Sequence, residues 1–219
     1  MGDQLVEGGA ADGFDGKTRL ILAGERLFAQ NGIQGASMRE IAGQARQGNH
    51  AAVQYHFGSR EGLVRAIFDF RMEQMEEARG EMLGRARKRD RLKDARTILE
   101  IILLPQLDLQ DADGNHSYAS FLSQYLLQSR SPQFGDFSGS EPPHLTEALA
   151  LLRERVDYLP PHVAQRRLIS VSLMFLAILV RHHGTDGGLF GETFEEALED
   201  TMEQIVAVMC MPLRLGAPN

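Results

Sequence analysis

Three short segments of helical periodicity, separated by tight glycine-containing stops, fill residues 19 to 63 and leave little freedom in how that stretch folds. Leu20, Ala23, Leu27 and Phe28 recur at the spacing of one helix face, and Asn31-Gly32 supplies the left-handed residue that commonly ends a helix. Ser37-Met38-Arg39-Glu40 has the form of a capping box, in which the serine oxygen receives an amide and the glutamate reaches back to the cap. It predicts a second helix to about Ala45 that buries Met38, Ile41 and Ala42. Arg46-Gln47-Gly48 breaks that helix, because glycine is poor in a helix and good in a turn. Asn49 is a strong N-cap and predicts a third helix from His50 to about Phe57. Gly58-Ser59 repeats the stop and cap, and a fourth helix opened by Ser59-Arg60-Glu61 carries Leu63, Ile67 and Phe70 into a charged stretch that ends near Arg91.

Beyond Arg91 the chain stays helical, with breaks at 111–115, 129–143, 159–161 and 184–191, where Gly, Pro, Asp and Ser cluster. The intervening helices are expected over 92–108, 116–128, 144–158, 162–183 and 192–210. No strand-like alternation is sustained. The expected fold is therefore all-α with about nine helices: an N-terminal three-helix domain holding a helix-turn-helix, then a larger C-terminal helical bundle. Residues 1–16, glycine-rich and acidic, read as a disordered tail, 17–62 as the first domain and 63–219 as the second. No basic segment followed by an apolar run opens the chain, and no stretch reaches the ~20 apolar residues of a membrane helix, so a cytoplasmic protein is expected.

A net charge of −7 argues against a nucleic-acid partner until it is divided along the chain. Residues 1–16 carry four acids and no base, whereas residues 17–60 carry six bases and two acids, a local charge of +4. A basic head on an acidic body suits a protein that offers one face to phosphates. In a helix-turn-helix the second helix lies in the major groove while its predecessors set its angle. Asn49, His50, Ala51, Gln54 and Tyr55 are small or polar enough to approach base edges or phosphates. Ala52 and Val53 suit contact with the frame. Such helix pairs also occur in proteins that never meet DNA.

The order and spacing of Arg19, Ile21-Leu22, Leu27-Phe28, Gly32, Ser37, Ile41-Ala42, Ala45 and the run from Tyr55 to Leu63 resemble the TetR family of regulators. The resemblance covers residues 18 to 65. It implies a homodimer, an N-terminal domain that binds double-stranded operator DNA, and a helical second domain that dimerises and usually binds a small effector. The turn departs from the family pattern: Ala45-Arg46-Gln47-Gly48-Asn49 is one residue longer than usual. Counted back from Tyr55-His56-Phe57, Gln54 takes the place of a tyrosine that touches phosphate in many members, and Arg60 that of a lysine at the backbone. The expected phosphate contacts are Lys17, Ser37, Tyr55 and Arg60, and the expected base contacts Asn49, His50, Ala51 and Gln54. Met38, Arg39, Arg46 and His56 complete the DNA-binding set, Arg46 as a phosphate contact or a solvated turn residue, His56 as a phosphate donor or a packed helix end.

In the second domain, 168–180 is apolar on every side except at Ser170 and Ser172, so that segment must be covered all round; at thirteen residues it is short for a bilayer. The following helix has an apolar stripe. Pairing both with their symmetry mates gives an expected interface of Leu168, Val171, Phe175, Ile178, Leu179, Phe194, Leu198, Met202, Ile205 and Met209. Burial within one chain is the alternative. Tyr118, Phe121 and Tyr125, with Gln124 and Met174 near them, form a candidate effector pocket or a plain core. No cofactor or metal is expected: adjacent His182 and His183 diverge by about 100° and do not share a face. The single cysteine, Cys210, fits a packed thiol rather than a disulfide framework. An enzyme is not expected, since no constellation of nucleophile, paired carboxylates or metal ligands stands out. The rival reading is a helical dimer that binds a ligand or protein and has lost DNA binding.

Overall fold

The computed structural model describes residues 14–46, 51–111, 114–128, 142–181 and 191–213, and among these it is all-helical, without strands. The N-terminal helices are α1 (Gly16–Asn31), α2 (Met38–Gln44), α3 (Ala52–Phe57) and α4 (Arg60–Lys88). The remainder are α5 (Ala95–Leu103), α6 (Ser117–Gln128), α7 (Pro143–Arg155), α8 (Pro161–Arg181) and α9 (Phe194–Cys210). The helix expected over 92–108 is divided. Pro105 has no amide hydrogen to continue α-helical bonding, and Leu104–Asp108 tightens into a 3-10 turn.

Local chemistry fixes several helix starts. Asp15 accepts the Thr18 amide at 2.7 Å, and Ser59 accepts the Gly62 amide at 3.1 Å. The capping box expected at Ser37 does not form, because Ser37 makes no side-chain cap bond; a complete one occurs at Thr193 and Glu196 instead. At Asp94, which caps α5, the Arg91 guanidinium and the Thr97 hydroxyl each bond at 2.6 Å and hold the carboxyl at about 2.

α3 begins at Ala52, two residues later than expected, with Ala51 at its N-cap. Asn49, the cap expected from sequence, lies outside the described residues with Gln47, Gly48 and His50. Arg46, the last described residue before the turn, is left-handed at φ 52°. An L-residue carries a cost of roughly 1–2 kcal/mol there.

α1 packs against α2, α4 and α6, while α8 packs against α6 and α9. α4 runs without a break from the end of the helix-turn-helix through the second domain, so residues 62 and 63 both fall in its first turn. Its buried stripe includes Leu63, Ile67, Phe68, Met72, Met75, Arg79 and Leu83. Phe68, not the half-buried Phe70, is the aromatic of this core. Its ring centroid lies 5.0 Å from that of Phe121 and 4.8 Å from that of Tyr125. Between α1 and α4, Glu25 is 0% exposed and accepts the Nε and Nη2 edge of Arg71 at 2.6 and 2.8 Å. The Ser117 hydroxyl donates to the same carboxylate at 2.5 Å, so one buried acid ties α1 to α4 and α6.

Candidate nucleic-acid interface

The helix-turn-helix frame is built from the apolar sides of four helices. Leu20, Leu27 and Phe28 of α1, Ile41 and Ala42 of α2, Ala52 and Val53 of α3, and Leu63 and Ile67 of α4 are all buried in the core. With Ala52 and Val53 turned inward, the other side of α3 faces solvent. Gln54, Tyr55 and His56 are exposed, as is Ala51 at the cap, and Tyr55 reaches 83% exposure. The His56 ring stands edge-on to Tyr55 at 5.0 Å and is not packed into the domain.

Lys17, Ser37, Arg39 and Arg46 are also exposed, while Met38 is half-buried against the core. Glu25, one of the two acids counted against this head, is buried and paired with Arg71. The exposed surface is therefore more basic than the count along the chain implies.

Arg60 has a different environment from the rest of the expected DNA set. One terminal guanidinium nitrogen donates to the Ile33 carbonyl at 2.5 Å and the Ala36 carbonyl at 2.7 Å, and the group lies 5.9 Å from the centroid of Phe28. It clamps the connection between α1 and α2 to the start of α4. The neighbouring residues of the Tyr55–Leu63 run are also built for this joint. Gly58 holds φ 71°, which favours glycine. A Cβ on Gly62 would fall 1.9 Å from the Phe57 carbonyl oxygen, so α3 and α4 meet this closely only over a bare backbone.

In the second domain, the structure brings Tyr118, Phe121 and Tyr125 together around Phe68. Tyr118 and Phe121 are fully buried, and Met174 is half-buried against the same core. Gln124 is half-buried and accepts a hydrogen bond from Gln128 at 3.0 Å on the exposed side of α6. A separate cleft of about 260 Å³ lies between α1 and the start of α6, lined by Arg26, Gln30, Asn115, Ser117 and Val180 among others.

The single chain itself covers most of the expected dimer residues. Val171, Phe175 and Ile205 are 0% exposed within the single chain, and Leu168, Leu179, Met202 and Met209 are buried with them. Side chains already covered by their own chain have no surface to give a partner. Ile178, Phe194 and Leu198 keep part of theirs. The apolar surface of α8 lies on its other side, where Ile169 and Leu173 are half-exposed and Ala177 and Val180 exposed at helical spacing. α8 is 21 residues long and by composition could cross a membrane; 44% of its apolar window is buried inside the molecule.

Among the described residues no group of three His, Cys, Asp or Glu could hold a metal, and His182 and His183 lie outside them. Burial pushes the half-buried Cys210 thiol up from its usual range. Two residues that periodicity could have exposed are Glu25 and Arg79. Glu25 falls on the buried side of α1 with Ile21 and Phe28, and Arg79 continues the spacing of Phe68, Met72 and Met75.

A short exposed helix held by three others, at the end of a longer helical body, defines a helix-turn-helix protein. The family model for bacterial regulatory proteins of the tetR family matches residues 20–67, the segment that contains the buried frame and the clamp. Over those residues the chain carries a TetR-type DNA-binding domain, and the match supports a DNA-binding transcriptional regulator of TetR type. Repression, homodimerisation and ligand binding are typical of that family, whose members are generally non-enzymatic. No curated protein matches the chain.

Proposed function

We propose that the chain is a homodimeric repressor that occupies a palindromic operator and releases it when a small effector binds the second domain. The observation that carries the DNA half is the exposed side of α3. Tyr55 gives up 83% of its surface to water, next to exposed Gln54 and His56, on a helix whose inner side is locked into the frame. A tyrosine left open in this way is suited to hydrogen-bonding the phosphate backbone of an arriving duplex. Asn49 and His50 precede it in sequence and belong to the same proposed surface, with Lys17, Ser37, Arg39 and Arg46 as flanking contacts.

The dimer half rests on α8. Its inner side is buried by α6 and α9, and its outer stripe of Ile169, Leu173, Ala177 and Val180 is apolar and open. A second copy crossing this stripe covers it, and binding both half-sites then requires the two α3 helices to stand about 34 Å apart, one turn of DNA. Such a regulator works in the cytoplasm, where its DNA is.

The test is fluorescence anisotropy against the DNA upstream of the chain's own reading frame, with a scrambled duplex at matched salt. Binding should be at least ~10³-fold tighter to the cognate duplex, and Tyr55→Ala should remove most of that preference while leaving helical content intact. Equal, weak binding to both duplexes would defeat the repressor reading and leave a helical dimer that binds a ligand or protein without acting on DNA.

A further inference from the structure

Two arginines lie eight residues apart on α4, and only one of them has a carboxylate on its bidentate edge. Arg71 presents Nε and Nη2 to both oxygens of Glu25. This is the planar, two-pronged match for which a guanidinium is suited. Arg79 is 1% exposed, yet the same edge meets no oxygen among the described residues. Its Nε has no hydrogen-bond partner, and its Nη2 has only the sulfurs of Met75 at 3.4 Å and Met72 at 4.0 Å. Thioether sulfur is a weak acceptor.

The remaining terminal nitrogen of Arg79 reaches Glu76 at 3.2 Å. That carboxylate is already engaged at the start of α7, where it accepts the amides of His144 at 2.9 Å and Leu145 at 3.3 Å. Arg79 thus has part of one counter-charge and an empty fork. Among the described residues the Tyr118 hydroxyl is another buried donor without a partner, and its ring packs edge-on at 6.3 Å to Phe68, on the same buried stripe of α4 as Met72, Met75 and Arg79, within electrostatic reach of the guanidinium. Burial drives the guanidinium down and the phenol up from their ordinary values, which is the direction taken by groups short of partners. Leaving such groups unmet costs stability, and a linear apolar side chain would fill the space between the methionines at less cost.

We propose that the Nε–Nη2 edge of Arg79 and the hydroxyl of Tyr118 are the anion-recognising end of the effector site, and that the effector is an organic monocarboxylate. The assignment rests on the effector reading above and adds its chemistry. One guanidinium fork and one phenol suit a single carboxylate, whereas a dianion would find no second counter-charge. Met72 and Met75, unbranched and adaptable, are the side chains that yield to admit it. Phe68 and Phe121 supply an aromatic wall for its apolar body.

The experiment measures thermal unfolding of the full chain with benzoate, phenylacetate and decanoate, each paired with its primary amide. The wild type should be stabilised in a dose-dependent way by at least one acid and not by its amide. Arg79→Met should melt at or above the ligand-free wild type and lose the response, while Arg79→Lys, which keeps charge but not the fork, should bind at least tenfold more weakly. Equal stabilisation by acid and amide, retained in Arg79→Met, would overturn the carboxylate assignment and leave the effector reading standing. Failure of every acid to shift the wild type also overturns it. The broader reading survives that result only if a ligand of other chemistry releases the operator from wild type and Arg79→Met alike. A large loss of stability in Arg79→Met would make Arg79 a structural residue and likewise overturn the proposal.

Discussion

Replacing Arg60 with Ala separates two roles open to a basic residue at the edge of a DNA-binding face. Its guanidinium holds the carbonyls of Ile33 and Ala36 at 2.5 and 2.7 Å and lies over Phe28. Hydrogen bonds to a charged group contribute about 1.5–3 kcal/mol each, and a cation over an aromatic ring adds about 0.5–1 kcal/mol at an exposed site. Water reaches both carbonyls once the side chain is gone, which offsets part of the loss and leaves a net of about 2–3 kcal/mol. For a chain of this size each kcal/mol moves the melting temperature by about 2–4 °C, so Arg60→Ala should melt roughly 4–12 °C lower. Operator affinity should fall as well, because the connection bearing Ser37 loses its brace. The salt dependence of binding should nevertheless stay the same. A lost phosphate contact would reduce the log–log slope by about 0.9 per half-site. Circular dichroism melts and anisotropy titrations over a salt series give both quantities on one preparation. A flattened slope with unchanged melting would refute the brace and make Arg60 a phosphate ligand.

Gly62→Ala places a methyl group 1.9 Å from the Phe57 carbonyl oxygen, whereas Gly84→Ala on the same helix meets nothing within 4 Å. The first should cost about 1–3 kcal/mol by overpacking and the second should be neutral or stabilising by up to ~1 kcal/mol; similar melting of the two would contradict the close joint between α3 and α4. Glu25→Gln leaves Arg71 without its counter-charge in a buried place, a change that typically costs 3–5 kcal/mol. Hydrogen exchange should then quicken in α1 and the first turn of α6 before the rest of the core, and an unaltered exchange pattern would show that the pair does not fasten the two domains.

The helices themselves were legible because periodicity and stop signals act locally. Gly58 and Ser59 do what their types predict, and so do the prolines that open α7 and α8. Roles that depend on which surfaces meet were not. Ser37 has the form of a cap, but a side-chain rotamer decides whether its oxygen turns to the amides, and no local pattern fixes that rotamer. The stripe of α8 and α9 is apolar whether it packs within one chain or between two; only the folded chain shows that Val171, Phe175 and Ile205 are already covered. Arg60 was legible as a basic residue at a helix start and not as a clamp, because its acceptors lie 24 and 27 residues away in sequence. The net charge of the N-terminal segment misled in a useful direction, since its acid Glu25 is buried against Arg71 of α4.

These arginines give α4 a mechanical meaning. Arg60 at its first residue clamps the α1–α2 connection, Arg71 ties it to α1 through Glu25, and Arg79 stands at the proposed effector site. At 1.5 Å per residue, about 28 Å of continuous helix separates Arg79 from Arg60. A carboxylate that displaces Met72 and Met75 alters the packing of the helix to which the DNA-binding frame is fastened at two points. That contact alone does not release an operator, because a ligand shifts an equilibrium only by the difference in its affinity for the two states. The Arg79 fork supplies such a difference if the displaced arrangement of α4 is the one that presents it fully. Arg79→Met then has a second consequence: without a guanidinium to favour the displaced arrangement, the variant should hold its operator as tightly with carboxylate as without. A variant that still released DNA on carboxylate addition would place the signal on a route that does not begin at Arg79.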